Sequence, residues 1–253
     1  MRTRFTVAVL LGLLSLGASS QPAQAEDEVA KIEREYGIVG TRNAEGRRLN
    51  RQLERVVDRI VSAVHETKAG RDFQLRSAKL LGGASENADK AVNAFALPDG
   101  RIYVTLGLMR MIQDSPDADD ELAFVVGHEV THVVQKHSIG QQKKALPVGI
   151  AAILLGAVTK NKAVGGLGQL GAAAYASHYG REDEYRADKG GLRAMNRAGY
   201  DPEAAITMLK RLGKLGGQQN KTLNGWMGSH PISENRVARV KELITELPQR
   251  GGR

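Results

Sequence analysis

The chain has 253 residues, no cysteine, six histidines and a formal net charge of +8 at pH 7. Without cysteine it can be neither cross-linked by disulfides nor lipid-anchored through an N-terminal cysteine. An aromatic content of 4% and the lack of any recognised binding motif argue against a nucleic-acid-binding protein. Most of the positive charge is expected on solvated surface, where it can also favour contact with anionic membranes.

The N-terminus has the pattern of a secretory signal peptide. Arg2 and Arg4 precede an apolar run at 5–16 and a small-residue segment that ends in A-Q-A at 23–25. The run is too short for a stable membrane span, and the A-x-A pattern predicts cleavage before Glu26. A retained membrane anchor is the alternative. Cleavage would leave about 228 residues with a charge of +6, a size that suits one soluble domain outside the cytoplasm.

The next segments alternate between helical and strand patterns. Residues 27–40 are charged and end in glycine, which indicates an N-terminal extension or a first short helix. Apolar residues at three- and four-residue steps predict an amphipathic helix over 43–65. Loose alternation predicts a strand over 73–80. A Pro-Asp-Gly turn between 92–97 and 102–105 predicts a β-hairpin, so the sheet is small.

The chemistry is concentrated in a helix predicted over 117–138, which follows a short helix at 107–113. It contains the pattern H-E-x-x-H as His128, Glu129 and His132. Residues four apart leave the same face of a helix, so the two imidazoles can share one metal ion. Glu129 flanks that position and can accept a proton from a water molecule there. Two exposed surface histidines are the alternative, but the apolar surroundings predict burial.

A zinc site of this kind needs a third protein ligand. His137 is nearest in sequence, but on a continuous helix it lies about 180° from His128 and faces away. Glu184 and Asp188 share a face of a later helix, so one can bind the metal while the other holds a ligating imidazole. Glu182 stays open as a rival ligand, although it lies on a different face from Asp188.

The rest of the chain is predicted to be mainly helical. The Gly- and Ala-rich insert at 140–177 is either a helical hairpin packed on the core or a mobile cover over the metal. The helix that bears Glu184 ends at Gly199, and another runs over about 201–212. A polar loop at 214–228 leads to a last helix that ends at Leu247. These elements predict a mainly helical α+β domain with a small β-sheet.

Four motifs together resemble peptidase family M48, a family of gluzincin endopeptidases that includes HtpX, BepA, LoiP and the Oma-type proteases. The motifs, in the family's order, are NAFALPDGRIYVTLGLM, the H-E-x-x-H helix, EYRAD at 184–188 and SHPISENR at 229–236. The likeness runs from about Glu45 to Leu247. It implies a zincin-like fold for a single peptidase domain at 26–253, with a core at about 45–247.

The resemblance also assigns roles to individual residues. It implies one zinc ion per chain held by three ligands: His128, His132 and Glu184. Glu129 matches the catalytic base, and Asp188 matches the carboxylate behind the ligands. His230 and Arg236 match the family's S/T-H-P-x-x-x-x-R segment. Three roles stay open for His230: it can cap the last helix, donate to the oxyanion of the intermediate, or take the open zinc position in a resting state.

The expected function is zinc-dependent hydrolysis of peptide bonds in misfolded cell-envelope proteins, by a soluble exported protein with only the peptidase domain. The substrate is expected to add as a strand along the edge of the hairpin at 92–105. Unfolded envelope proteins are the expected partners, with a membrane surface or the outer-membrane assembly machinery as further candidates, and no nucleic acid. The expected location is the periplasm or the exterior. A zinc-bound chaperone that holds unfolded proteins with little turnover is the alternative.

Overall fold

The computed structural model describes residues 21–135, 181–216, 230 and 234–249. The helices are α1 (Gln21–Tyr36), α2 (Ala44–His65), α3 (Glu86–Lys90), α4 (Leu106–Ile112), α5 (Ala118–Val134), α6 (Arg181–Ala198), α7 (Ala204–Gly216) and α8 (Glu234–Thr245), and the strands are β1 (Ser77–Leu81), β2 (Ala94–Ala96) and β3 (Arg101–Thr105). The predicted α+β class is confirmed. The insert at 140–177 and His137 lie outside the described residues, as does most of the loop at 214–228.

The long amphipathic helix α2 is confirmed close to its predicted bounds. It begins after Asn43, whose side chain accepts a hydrogen bond of 2.6 Å from Gly46 N, as a favourable N-cap does. Its apolar stripe, which includes Leu53, Val57 and Ile60, is buried in the main core. The stripe packs against α5, α6 and β1, so α2 supports the two helices that carry the predicted site.

The sheet has the strand order β1-β3-β2. The predicted hairpin is confirmed, because β2 and β3 pair antiparallel around a turn in which Gly100 has a φ of +86°. β1 pairs parallel with β3 in a register that starts at Ser77 opposite Arg101. The strand predicted over 73–80 therefore starts four residues later than predicted, at Ser77. The reason is that β3 begins at Arg101, the partner of Ser77, and offers no earlier residue for pairing. The parallel pairing places β3 in the centre of the sheet.

Two helices differ from what the sequence predicted. The five-residue helix α3 was not predicted, because one turn is too short to show periodicity; Ser85 caps it by accepting from Ala88 N. The helix predicted from residue 201 begins at Ala204 instead, because Glu203 N donates to Asp201 Oδ1 in a turn. That helix continues past 212 to Gly216, where the apolar Leu215 still packs on the core.

Helix α1 covers part of the sheet and has its own small hydrophobic cluster. Ile32 and Tyr36 pack there with Phe95 and Tyr103, whose rings stack with centroids 4.9 Å apart. Of the two expectations for residues 27–40, a helix is confirmed, but it starts earlier, at Gln21, and ends at Tyr36. The predicted cleavage point before Glu26 falls within α1. In the described part of the chain, no helix combines the length and apolarity needed to cross a membrane.

The crossing of α5 and α6 is the closest contact between helices, and glycines permit it. A Cβ built on Gly127 would lie 3.1 Å from Gly191 Cα, and one built on Gly191 would lie 2.9 Å from His128 N. A Cβ on Gly190 would meet Thr131 side-chain atoms. Since the first two contacts are with backbone, they cannot be relieved by a change of rotamer. Gly190 and Gly191 therefore let α6 lie close against α5.

Replacing Gly191 by alanine tests this crossing. We expect Gly191→Ala to lower the free energy of unfolding by about 1–2 kcal/mol, because overpacking against His128 outweighs the gain in helix propensity. Gly40→Ala is the control, since a Cβ there meets no atom within 4 Å; we expect a change within about 0.5 kcal/mol. Urea denaturation followed by circular dichroism measures both. Equal stability of the two variants would contradict a tight crossing.

Candidate metal centre

The structure brings the predicted site residues together from three elements and one connecting segment. Helix α5 contributes three of them, α6 two, α8 one and the segment before α8 one. None exposes more than 4% of its surface: His128, Glu129, His132, Glu184, Asp188, His230 and Arg236. Buried ionisable groups are costly unless each has a partner or a metal. The contacts among these seven side chains therefore define the site.

Four of these side chains converge on a common centre, three through one ring nitrogen each and Glu184 through its carboxylate. His128 Nε2 lies 3.0 Å from His132 Nε2, 3.3 Å from His230 Nδ1 and 3.5 Å from Glu184 Oε2. Glu184 Oε1 lies 3.3 Å from His132 Nε2 and 2.9 Å from His230 Nδ1. Tetrahedral zinc with bonds near 2.0–2.1 Å separates its ligand atoms by about 3.3 Å. The donors thus have the spacing that such an ion requires.

Two of the donors, His132 and Glu184, are also in the protonation states that bind metal. Burial lowers the pKa of His132 well below its usual value, which keeps the ring neutral. Burial alone would raise the pKa of Glu184, but the nearby charge of His230 and hydrogen bonds from His132 and His230 hold it well below its usual value. Neutral imidazole and ionised carboxylate are the ligating forms. Glu184 Oε2 lies 2.8 Å from Arg236 Nη1 without forming a hydrogen bond, so it keeps lone pairs for a cation.

Asp188 and Arg236 support the first ligand from behind. Asp188 Oδ1 lies 2.9 Å from His128 Nδ1, so that nitrogen donates and Nε2 presents its lone pair to the centre. Arg236 donates to Asp188 through Nε at 2.8 Å and Nη2 at 2.7 Å. Burial alone would raise the pKa of Asp188, but the charge of Arg236 and hydrogen bonds from His128 and Arg236 lower it. The carboxylate therefore stays ionised and fixes the ring.

Glu129 lies beside the donor group rather than within it. Its Oε1 is 3.3 Å from His230 Nε2, while Nδ1 of the same ring faces His128 and Glu184. Burial alone would lower the pKa of His230, but the charges of Glu184 and Glu129 raise it. The imidazole thus lies between the fourth donor position and the predicted base. The ring of His230 contacts residues of the site, which a role limited to capping the last helix would not require.

The structure separates the two rival carboxylates. Glu184 is buried within the donor group, whereas Glu182 is exposed and lies 3.5 Å from Arg186 on the solvent side of α6. The face that Glu184 was predicted to share with Asp188 is buried. Reasoning from the residues alone did not place His230 or Arg236; the only signal for them was the S-H-P-x-x-x-x-R segment.

A helix with two histidines and a glutamate, a second helix with a carboxylate ligand and a small adjoining sheet define an H-E-x-x-H metallopeptidase. A comparison with known families agrees. Peptidase family M48 matches residues 47–244, and the chain belongs to this family. The predicted family is therefore confirmed, and zinc is its cofactor.

Individual relatives match over parts of their length. The mitochondrial metalloendopeptidase OMA1 of Schizosaccharomyces pombe is 32% identical over 159 residues, 62% of this chain and 45% of the relative. Metalloprotease LoiP of Escherichia coli is 30% identical over 164 residues, 62% of this chain and 60% of the relative. The beta-barrel assembly-enhancing protease of Yersinia pestis is 28% identical over 165 residues, 62% of this chain and 33% of the relative. The chain thus spans less than two thirds of each relative.

Substitution of the rival carboxylates tests the ligand set. We expect Glu184→Ala to lose zinc, because it removes a donor from the buried group, and Glu182→Ala to keep it, because that side chain faces solvent. Elemental analysis of the purified variants measures zinc per chain, and circular dichroism shows whether each is folded. Loss of zinc from the Glu182→Ala variant alone would show that Glu182, and not Glu184, is the third ligand.

Proposed function

We propose that this protein is a zinc-dependent endopeptidase. The observation that carries the proposal is the spacing of the donors of His128, His132 and Glu184, together with Glu129 buried next to them. When bound, zinc supplies a Lewis acid that polarises the scissile carbonyl and makes water at the site more acidic. Three protein ligands and one exchangeable position are the usual composition of a catalytic zinc site. The proposed reaction is hydrolysis of a peptide bond.

Glu129 is the proposed general base. It follows His128 by one position, so about 100° of helix rotation turns its carboxylate to the side of the donor group. From there it can accept a proton from the attacking water and deliver it to the leaving amine. Its exposed fraction is 3%, so bulk water does not solvate the carboxylate in competition with the reacting water.

Asp188 and Arg236 are proposed as positioning residues. Their two hydrogen bonds fix the Asp188 carboxylate, which in turn fixes the ring of His128. Burial alone would lower the pKa of Arg236, but Asp188 and the other carboxylates around it raise it. The pair therefore keeps its charges. A carboxylate behind a ligating imidazole increases the basicity of that ligand and fixes its tautomer.

The substrate is proposed to bind as an extended strand beside β2. Because β3 is central, β2 (Ala94–Ala96) is an edge strand of the described sheet. It packs against α5, the helix that carries both histidine ligands. A peptide that adds to this edge would be held by main-chain hydrogen bonds, which give affinity without strong sequence preference.

The proposed substrates are unfolded or misfolded proteins of the cell envelope, encountered in the periplasm or outside the cell. Two observations support this. Residues 1–25 have the pattern of a secretory signal peptide, and the chain is similar to beta-barrel assembly-enhancing proteases. The outer-membrane assembly machinery is a proposed partner on the same ground.

The variant Glu129→Gln decides between peptidase and chaperone. It keeps the side-chain size and removes the base, so we expect folded, zinc-loaded protein with at least about a hundredfold slower cleavage of casein. Glu182→Gln is the matched control, since it makes the same change on the solvent side of α6, and should cleave normally. If wild type and Glu129→Gln protect cells equally against misfolded envelope proteins, the chaperone function is the physiological one.

We also propose that His230 holds the fourth donor position in a resting state. Its Nδ1 lies 3.3 Å from His128 Nε2 and 2.9 Å from Glu184 Oε1, so the ring would take the fourth position that water otherwise needs. We therefore expect His230→Ala to keep zinc and to raise the casein cleavage rate severalfold. His65→Ala, at the exposed end of α2, is the control. A lower rate would instead assign His230 to the oxyanion, and an unchanged rate to a capping role.

A further inference from the structure

A polar cavity lies at the opposite end of α5 from His128 and His132. Its volume is about 270 Å³, and its polar lining comes from α2, from the residue after α4 and from the start of α5: Arg48, Arg51, Gln52, Arg55, Gln113 and Asp119. Along α5, Asp119 is separated from His128 by nine residues, about 14 Å of helix rise. The cavity is therefore distinct from the proposed active site.

The charges that line this cavity do not balance. Three arginines of α2, spaced so that they share its exposed side, face one carboxylate. Arg55 Nη2 lies 2.6 Å from Asp119 Oδ2, so this pair neutralises itself. Arg48 and Arg51 leave two positive charges. Like charges held around one cavity repel each other, and a bound anion relieves that repulsion.

A chain of hydrogen bonds orients the polar side chains around the cavity. Arg48 Nη1 donates to Gln113 Oε1, and Gln113 Nε2 donates to Gln52 Oε1 at 3.1 Å. Gln52 Nε2 donates to Asp119 Oδ1 at 2.8 Å. The side-chain amides of Gln52 and Gln113 are thus oriented by these hydrogen bonds alone, without a ligand.

Arg51 differs from its neighbours on the cavity wall. Within the described ranges it makes no hydrogen bond or ion pair, although it lines the cavity. A guanidinium has five N–H donors in a planar fork that matches two oxygens of a phosphate. Arg48 uses only Nη1 in the hydrogen bond to Gln113, so it has further donors to offer. The cavity therefore combines unused donors with an excess of two positive charges.

We propose that this cavity binds a phosphate group. A dianionic phosphate matches the charge excess, and its oxygens match the forked donors of Arg48 and Arg51. The volume is below the range typical of drug-sized ligands, which favours a single ionic group. Free phosphate and the head group of an anionic lipid both present charged phosphate oxygens to these donors, although the phosphodiester of the lipid carries only one negative charge. Because Arg51 is on the exposed side of α2, either source can reach it.

Calorimetric titration of the zinc-loaded protein with inorganic phosphate, at constant ionic strength, tests the site. Arg51→Gln removes the unpaired guanidinium, whereas Arg193→Gln makes the same charge change on the exposed side of α6. We expect Arg51→Gln to weaken phosphate binding by about tenfold or more and Arg193→Gln to leave it unchanged. Since zinc itself can take phosphate, the difference between these variants decides, not binding by the wild type alone.

Vesicle flotation distinguishes the two sources of phosphate. If vesicles that contain phosphatidylglycerol bind wild type and Arg193→Gln but not Arg51→Gln, the ligand is a lipid head group. If the variants differ only toward inorganic phosphate, the ligand is the free ion. Equal behaviour of Arg51→Gln and Arg193→Gln toward both probes would overturn the proposal, because attraction would then depend on net charge alone.

Discussion

Three carboxylates and one guanidinium are buried together in the site, and the rest of the site depends on how their charges are balanced. Taking charges out of water is expensive unless they are paired. Arg236 pairs with Asp188 and Glu184, and the raised pKa of His230 favours a second positive charge. The three carboxylates still outnumber these two cationic groups. A divalent cation supplies the charge that the protein lacks. The same excess that makes the site costly in the folded chain thus favours a bound metal cation.

The geometry of this charged group depends on how closely α5 and α6 approach. His128 and His132 come from α5 and Glu184 from α6, so the distance between the helices sets the distance between these donors. Gly127 and Gly191 allow backbone to touch backbone at the crossing. Any side chain there would separate the helices and with them the donors. Packing and chemistry are therefore coupled through two positions that have no side chain.

Both polar features of the molecule use the same helix at different ends. The C-terminal half of α5 carries His128 and His132, while its first residues line the cavity with Arg48, Arg51 and Arg55. Helix α5, which is buried from Glu121 to His132, connects the two. The metal centre is built from buried groups with an excess of carboxylates, whereas the arginine cavity is open to solvent and retains positive charge. The two sites therefore favour ligands of opposite sign.

Periodicity predicted the elements whose patterns are long. The helix over 43–65 and the hairpin are confirmed near their predicted bounds, because amphipathic spacing and turn residues act locally. The same reasoning placed the strand predicted at 73–80 too early, since strand ends depend on a partner elsewhere in the chain. It also missed α3, which has only five residues and so shows no periodicity; its N-terminal signal is the capping side chain of Ser85. Pairing between distant segments is not encoded in local spacing.

The sequence by itself determined the part of the site that lies within single helices. The spacing of His128 and His132 fixes one face, and that of Glu184 and Asp188 fixes another, because helix rotation per residue is constant. Only the tertiary structure decided how those faces meet. His230 lies 102 positions from His128 in the chain and 3.3 Å from it in space, and Arg236 reaches Asp188 from α8. Such distances follow from packing of the whole chain, which no local pattern contains.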